Sequence, residues 1–600
     1  MTRQSRAARP SQRRGQTAHV AKPPNLDRST LTPGSPTGHW LAALSSACIT
    51  IAVFLPTLEN RFVDWDDDVN LVNNPEFRGL GWRNLRWMFT TTLMGHWIPL
   101  TWITFGADYL FWGMKPLGYH LTSLLLHAAG AVAFYFVALR LLRAATGAGE
   151  VALRLGALAA SLFFAIHPLR VESVAWATER RDVLSGVWFL FSILTYLEAA
   201  AAAPARRRWW LAGSLACCAL AVTSKAIVMT LPAVLILLDV YPLRRIGARW
   251  RDWTAREARR VWVEKIPYLL LALGAAGVAG YAQRSLAEPL AAQPVEGRIA
   301  VAFYGLCFYL WKTFIPFPIS PLYQMSPHVD PLAFPMVASA VTVVALTGGL
   351  LWLRRKWPAG LAVWVSYTVL LAPVSGIAQS GPQLVAARYS YLPCLGWALL
   401  VGAAVCLLFH GAAGGRLGRG WVRIGAAGVV TCFVGLGILS WRQTRIWHDS
   451  ETLWSYVVSV DPASSIARNN LGFIFLNQGR LDEAEREIRT ALRLSPEWED
   501  ARTNLAAVLA RLGRFEEAGE ARAQLGYLLL KHEKFKAAIE LFEKEVKARP
   551  GDPAAHNNLG AALLLQGNAG PAIEHFEQAL QINPGYEKAR RNLAAARLGR

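Results

Sequence analysis

Seven cysteines in 600 residues, with no CxxC pair among them, exclude a zinc ribbon and a disulfide framework. Cys48, Cys217, Cys218, Cys307, Cys394, Cys406 and Cys432 all sit inside apolar stretches, as small core residues do. Acids are scarce as well: 41 Asp and Glu stand against 62 Lys and Arg, and none precedes Asp27. The resulting net charge of +21 invites nucleic acid as a partner, but the basic residues fall in short clusters between apolar runs. That is how orientation is encoded in a bilayer, so no nucleic acid is expected. The pair Arg13-Arg14 lacks the apolar residues that a twin-Arg export signal needs directly after it, and a signal-anchor at residues 40–58 is expected instead. Residues 1–38, rich in Arg, Ser, Pro and Gly, read as a disordered basic cytoplasmic tail.

What the chain does have is apolar length, with 53% hydrophobic residues and 24 Trp. A spanning helix needs about 20 mostly apolar residues. The runs at 40–58, 120–139, 153–166, 183–200, 209–223, 226–242, 265–282, 333–353, 359–378, 389–409 and 423–441 predict about eleven spans. Basic clusters alternate with them: the tail, Arg140 with Arg143 and Arg154, Arg206 to Arg208, Arg244 to Lys265, Arg354 to Lys356, and Arg416 to Arg423. All fall on one side, the cytoplasmic one. Two Trp-bearing stretches, 97–113 and 299–316, break the alternation and are expected to lie in the outer interface; if 299–316 crosses, the count becomes twelve.

After Arg442 the composition turns charged and a period appears. Leu471-Gly472, Phe475, Gly479, Ala484, Ile488, Ala491 and Pro496 have the tetratricopeptide (TPR) spacing, in which small residues let two antiparallel helices approach. The pattern returns at Leu505, at Leu525-Gly526 and at Leu559-Gly560, and the 20-residue step from Leu505 to Leu525 predicts a truncated pair or a fusion of two helices. The expected fold is therefore all-α: a polytopic transmembrane domain over 39–442 with a first external loop at 59–119, a linker or helix at 443–464, and an α-solenoid of about four TPR repeats plus a cap over 465–600. Parity puts the solenoid outside, where it either binds protein or braces the membrane domain.

Several charges are not needed for insertion. Asp66, Asp67 and Asp68 follow the first span within DWDDD, either as a solvated turn or as a buried acid site beneath the surface helix at 97–113. His167, Arg170 and Glu172 end the third span, and Glu179, Arg180, Arg181 and Asp182 open the fourth, which sets basic residues on the side that the positive-inside bias disfavours. They pair with the neighbouring acids or hold a ligand. Lys225 stands at an outer tip between two short spans, where it snorkels or binds; Lys312 and Arg388 are external too. Acids and cations thus share one face, where a lipid phosphate is found. His120 and His127, seven apart, lack a third ligand and read as core. A divalent ion at Asp66 to Asp68 has no other ligands to support it, so no cofactor is required and no metal site is assigned.

The motifs FVDWDDDVNLVNNP, WIPLTWITFGADYLFWG, GYHLTSLLLH, HPLRVESVAWATERRDVLSG, SKAIVMTLP, LWKTFIP and ARYSYLP, in this order and followed by the repeats, resemble the transmembrane-and-TPR (TMTC-like) O-mannosyltransferases of the GT-C class and their bacterial relatives. The resemblance implies an inverting transfer of a sugar, mannose in the family, from a polyprenyl-phosphate carrier to a protein hydroxyl recruited by the TPR domain. It places the catalytic acid at Asp66 or Asp67 and phosphate binding at Arg388 and Lys225, with Arg170, His167 and Lys312 as further candidates. Ala-, Arg- and Gly-rich usage suits a bacterial inner membrane, with the N-terminus cytoplasmic and the repeats periplasmic. The alternative is a non-enzymatic membrane-anchored TPR scaffold for envelope assembly.

Overall fold

Backbone that enters lipid must satisfy its own polar groups, and helices do so within one segment. The computed structural model describes residues 36–247, 249–284, 294–326, 329–377, 383–415 and 417–598. Among these the elements are helical apart from a short antiparallel ribbon, β1 (Tyr323–Gln324) with β2 (Gln383–Val385). The membrane part begins with α1 (Pro36–Phe54), α2 (Trp82–Thr90), α3 (Pro99–Trp112), α4 (Pro116–Thr146), α5 (Glu150–Ala165), α6 (Val171–Ala175), α7 (Arg180–Ala201) and α8 (Pro204–Ser224). It continues with α9 (Leu231–Val240), α10 (Arg256–Gln283), α11 (Val295–Phe314), α12 (Phe334–Leu353), α13 (Pro358–Leu371), α14 (Leu395–Ala413) and α15 (Arg419–Ile446). Residues 1–35 of the expected tail and Arg416 lie outside the described residues, and α1 starts at Pro36, so the expected boundary at 38 falls inside a helix.

Each of the eleven expected stretches is helical over most of its described length. Among the described residues seven helices, starting at Pro36, Pro116, Ala177, Ala258, Phe334, Leu395 and Arg419, are by themselves long and apolar enough to cross a bilayer. An eighth is the pair Glu150–Ala165 and Pro168–Ala175, bent by 54°. Ala226–Val240 and Pro358–Val374 are apolar but short. Helix α8 has 21 residues, but Arg206 to Arg208 occupy its first turns. Prolines and arginines thus shorten runs that hydropathy alone extends.

Helix α4 is the centre of the bundle and packs on α1, α5 and α7, while α5 packs on α14 and α7 on α8. Small residues let α5 and α14 meet: a Cβ on Gly402 would stand 2.5 Å from the Gly156 carbonyl oxygen, and one on Gly156 2.7 Å from that of Gly402. Large apolar side chains such as Leu273, Val344 and Val430 stay exposed on α10, α12 and α15, as a bilayer-facing surface requires. At the end away from the Asp loop, Asp239 accepts from Arg245 at 2.8 Å and from Lys265 at 2.5 Å, and Glu264 accepts from Arg207 at 2.7 Å. Both ends of α11 bond to loops at the Asp-loop end. Arg298 Nη1 donates to the Ile377 carbonyl at 3.2 Å, and the Thr313 carbonyl lies 3.1 Å from His167 Nε2.

Beyond α15 come α16 (Ser450–Val460), α17 (Ser465–Gln478), α18 (Leu481–Leu494), α19 (Glu499–Arg511), α20 (Phe515–Lys531), α21 (Phe535–Ala548), α22 (Pro553–Leu565), α23 (Ala569–Ile582) and α24 (Glu587–Leu598). The repeat glycines are packing positions. A Cβ on Gly472 would meet Ile488 at 2.5 Å, one on Gly526 would meet Phe542 at 2.1 Å, and one on Gly560 would meet Phe576 at 2.7 Å. The 20-residue step proves to be a fusion, because α20 pairs with α19 as a second helix and with α21 as a first helix. Short connections make successive helices antiparallel. The first helices α20, α22 and α24 therefore run opposite to α17 and α19, and the inner face of the solenoid is split at α20.

Gly402→Leu is expected to push α14 off α5 and to destabilise the protein by about 2 kcal/mol or more. Thermal unfolding in detergent checks this, with Gly418→Ala, which meets nothing within 4 Å, as the neutral comparison.

Candidate active site

The first loop is built around Asp67. Its Oδ1 accepts from the Thr178 N–H at 2.9 Å and the Thr178 hydroxyl at 2.6 Å, and its Oδ2 accepts from the Val63 N–H at 3.1 Å. The side chain is fully buried. Burial pushes its carboxyl up to about 7, against the pull of the Thr178 and Val63 donors. With both oxygens occupied and no exposed surface, Asp67 fastens the loop to the segment before α7 and has no face for a substrate. The expectation that it shares the catalytic role does not fit this geometry.

Its neighbour is presented differently. Asp66 takes a left-handed backbone conformation, φ 65°, which a residue with a Cβ adopts at a cost of about 1–2 kcal/mol. Such strain persists where the surroundings impose it. Among the described residues none donates a hydrogen bond to its carboxylate. Burial raises its carboxyl above the usual range, and Arg181 and Arg388 pull it part of the way back.

Those two cations belong to a buried cluster centred on Glu179, which is fully buried. Arg181 Nη2 reaches Glu179 Oε1 at 2.5 Å, Lys225 Nζ reaches Oε2 at 2.9 Å, and Arg388 Nε lies 3.3 Å from Oε1. Lys225 also donates to Asp182 at 2.6 Å. The Arg388 backbone N–H donates to Glu172 Oε2 at 3.1 Å, and its Nη1 pairs with Glu172 Oε1. Burial works against the charge of Arg388, but Glu172, Tyr389 and Glu179 outweigh it and hold the guanidinium charged. Three cations are thus fixed by three acids, as buried charges must be. Among the described residues, Nη1 of Arg181, Nη2 of Arg388 and the third N–H of Lys225 take no partner. The side chains of Arg181, Arg388 and Lys225 keep 8%, 10% and 15% of their surface exposed.

Of the expected phosphate-binding residues, the structure brings Lys225 and Arg388 to this cluster and leaves three elsewhere. Arg170 is buried, donates to Ser390 Oγ at 2.8 Å, and lies over the Tyr391 ring at 5.6 Å. His167 caps the turn after α5, accepting from the Leu169 N–H at 3.2 Å. Lys312 donates to the Pro318 carbonyl at 2.7 Å. Arg170, His167 and Lys312 thus lie outside the Glu179 cluster, because side of the membrane, the sole criterion available in the sequence, does not say which charges meet; Nε and Nη1 of Arg170 are buried without a hydrogen-bond partner among the described residues. Arg180 is spent on Asp108 and the Tyr119 carbonyl. His127 sits 2.9 Å from the Tyr391 hydroxyl and 2.8 Å from the Ala165 carbonyl, as a core residue does. Glu172, Glu179, Arg181 and Asp182 of the cluster stood out in the sequence only as charges beside the spans, and His96, next to Lys225, did not stand out at all. Burial holds the His96 ring neutral, its pKa well below the usual range, with Arg181 adding to the effect. A histidine in the Pro- and Trp-rich segment just after the Asp loop was the available signal. Among the described residues no group of three or more His, Cys, Asp or Glu side chains is arranged to hold a metal ion.

The base of the solenoid closes over this loop. Trp65 lies 4.9 Å from Trp454, 5.1 Å from Trp176 and 6.1 Å from Trp447, ring centre to ring centre. The Arg61 N–H donates to the His448 carbonyl at 2.8 Å, and the Asp64 N–H to Ser450 Oγ at 2.8 Å. Gln324, at the end of β1, bonds Ser464 and Ser465 at 2.9 Å each, and Gln383, its partner in β2, accepts from Arg388 Nη1 at 3.3 Å. Asp66, the cation cluster and the TPR base therefore share one end of the bundle.

Fold and site define a polytopic α-helical membrane protein whose TPR solenoid stands over a buried charged cluster. A tetratricopeptide repeat model matches residues 434–497, 474–524 and 523–587. Protein O-mannosyl-transferase Tmtc1 of Drosophila melanogaster is 23% identical over 560 residues, 78% of this chain and 63% of that protein. Human TMTC1 is 24% identical over 75% of this chain and 55% of its own length, and tmtc2 of Xenopus laevis is 32% identical over 26% of this chain and 19% of its own. The chain is a relative of these transmembrane-and-TPR O-mannosyl-transferases, and it spans between 51% and 63% of the length of the three that match most of it. Among solved structures, ArnT from Cupriavidus metallidurans bound to undecaprenyl phosphate is 16% identical with a TM-score of 0.32, covering 81% of this chain and 80% of that one. The TPR protein YrrB is 23% identical with a TM-score of 0.15, covering 24% of this chain and 80% of its own.

Asp67→Asn puts an amide N–H against one of the donors around it and is expected to cost about 1–3 kcal/mol. Asp66→Asn, which breaks no hydrogen bond, is expected to unfold at the wild-type temperature. Thermal unfolding of both variants checks this pair. The folded-state pKa of Asp67 lies above its ordinary value of 3.8, so its contribution to stability is full at pH values below that and is lost as pH rises through about 7.

Proposed function

We propose that this protein is a GT-C-type glycosyltransferase that moves a sugar from a polyprenyl-phosphate carrier to a protein hydroxyl at the outer face of the membrane. Mannose is the sugar that its relatives' names indicate. The observation that supports this most is a carboxylate to which no described residue donates a hydrogen bond, Asp66, lying in the field of Arg181 and Arg388 of the buried cation cluster. In the transfer, the acceptor oxygen forms a bond to the anomeric carbon while the bond from that carbon to the carrier phosphate breaks. The electron pair leaves with the phosphate oxygen, and the acceptor proton passes to Asp66. A base is needed because a phosphate departs without a proton, and the cations hold the charge that develops on it. The sugar inverts, because one displacement joins one nucleophile to one leaving group. No metal takes part in this scheme. The acceptor is recruited by the TPR solenoid, which stands at the same end as Asp66. The site faces the periplasm of a bacterial inner membrane, with the N-terminus in the cytoplasm.

The test is transfer from a mannosyl-phosphoryl-polyprenol to envelope proteins by the purified full-length protein. Asp66→Asn is expected to lower the rate about 10²–10⁴-fold without moving the melting temperature. Arg388→Lys, which keeps the charge but loses the planar fork, is expected to lower it about tenfold or more. Wild-type rates for Asp66→Asn would remove Asp66 as the base, whereas no transfer by the wild-type protein would leave the membrane-anchored scaffold as the function.

A further inference from the structure

The transfer just described requires a place for the lipid phosphate apart from the acid that receives the acceptor proton. Beside Lys225 there is a small cavity of about 40 Å³, whose polar lining is His96, Lys225 and Gln283 and whose apolar lining includes Val222, Ala275, Val278 and Ala279 from α8 and α10. Leu273 and Tyr281, further along the exposed side of α10, are open to the bilayer. The cavity thus joins the charged cluster to a lipid-facing seam.

His96 lies in the turn between α2 and α3. Among the described residues its ring makes no hydrogen bond, yet the chain goes to some length to place it. Met94 at φ 51° and Gly95 at φ 72° are consecutive left-handed residues that turn the chain into His96. For Met94 this is a strained conformation, of the kind that persists at ligand sites. The Gly95 and His96 N–H groups close the turn on the Thr92 and Leu93 carbonyls, Trp97 Nε1 donates to the Phe89 carbonyl at 2.8 Å, and Thr101 Oγ1 in α3 donates to the Ser224 carbonyl, one residue before Lys225, at 3.0 Å. Lys225 in turn spends two of its three N–H groups on Glu179 and Asp182.

We propose that His96 and the remaining N–H of Lys225 form the subsite for the donor's phosphate ester, whose lipid chain runs over Val222, Ala275, Val278 and Ala279 between α8 and α10. This deepens the transfer reading and rests on it. The donor enters from the lipid seam, and the acceptor comes from the Trp65 and Trp447 side beneath the TPR base. A neutral imidazole donates one N–H to a phosphate oxygen, and that bond becomes charge-assisted when the carbon–oxygen bond breaks and the oxygen gains a full negative charge. His96 neither gains nor loses a proton; the acceptor proton stays on Asp66. His96 acts here as a binding residue for the leaving group.

Binding of undecaprenyl phosphate and of inorganic phosphate to the purified full-length protein in nanodiscs tests this. His96→Ala is expected to weaken undecaprenyl phosphate about tenfold or more, the usual weight of a hydrogen bond to a charged group, with an unchanged melting temperature. His96→Gln, which keeps an N–H donor, should recover part of the loss. Ala279→Trp should weaken undecaprenyl phosphate and leave inorganic phosphate unaffected. Wild-type binding by His96→Ala, or equal binding of the two phosphates by the wild type, overturns the subsite. The two readings fail separately. If His96→Ala binds normally while Asp66→Asn abolishes transfer, the subsite is wrong and the transferase stands. If binding depends on His96 but no sugar is ever transferred, the subsite stands and the transferase reading falls.

Discussion

One buried carboxylate gathers the site. Glu179 draws Arg181, Lys225 and Arg388 together from the start of α7, the end of α8 and the segment before α14. Three cations placed this close repel one another, and each loses hydration on burial; without the acid the arrangement is prohibitive. Glu172 and Asp182 complete the neutralisation, so the cluster holds its geometry before any ligand arrives. Preorganisation of this kind is what electrostatic catalysis needs, because no dipoles then have to reorient when charge develops.

The second constraint is aromatic. Trp65, Trp176, Trp447 and Trp454 come from the first loop, the α6–α7 connection, the end of α15 and α16, and they pack into one stack. Trp65 precedes the strained Asp66, so the solenoid base fixes the backbone that presents the acid. The β-ribbon makes a second connection, from Ser464 and Ser465 through Gln324 to the strand that carries Gln383 beside Arg388. The repeats are thus fastened to the loop and to the cluster by separate contacts. Their inner face is continuous only as far as α19, since the fusion at α20 reverses the direction of the first helices beyond it.

The sequence by itself determined the classes of structure: helices wherever apolar runs exceed membrane thickness, a charged solenoid where a 34-residue period begins, and acids and cations collected at one end by the positive-inside bias. These follow from solvation and periodicity, which are local properties. It also made Asp66, Lys225 and Arg388 candidates, because charges that insertion does not require stand out against an apolar background. Tertiary structure alone decided the rest. Asp66 and Asp67 are adjacent and chemically identical, and only the fold gives one three hydrogen bonds and the other none. Arg170 and Arg388 lie at the same end, yet one braces a turn over Tyr391 while the other faces the cluster. Where each apolar helix ends depended on prolines and arginines, and the surroundings of Glu179 and His96 depended on segments more than 200 residues apart. Partnership at such separations is set by packing geometry, which no local pattern of residues contains.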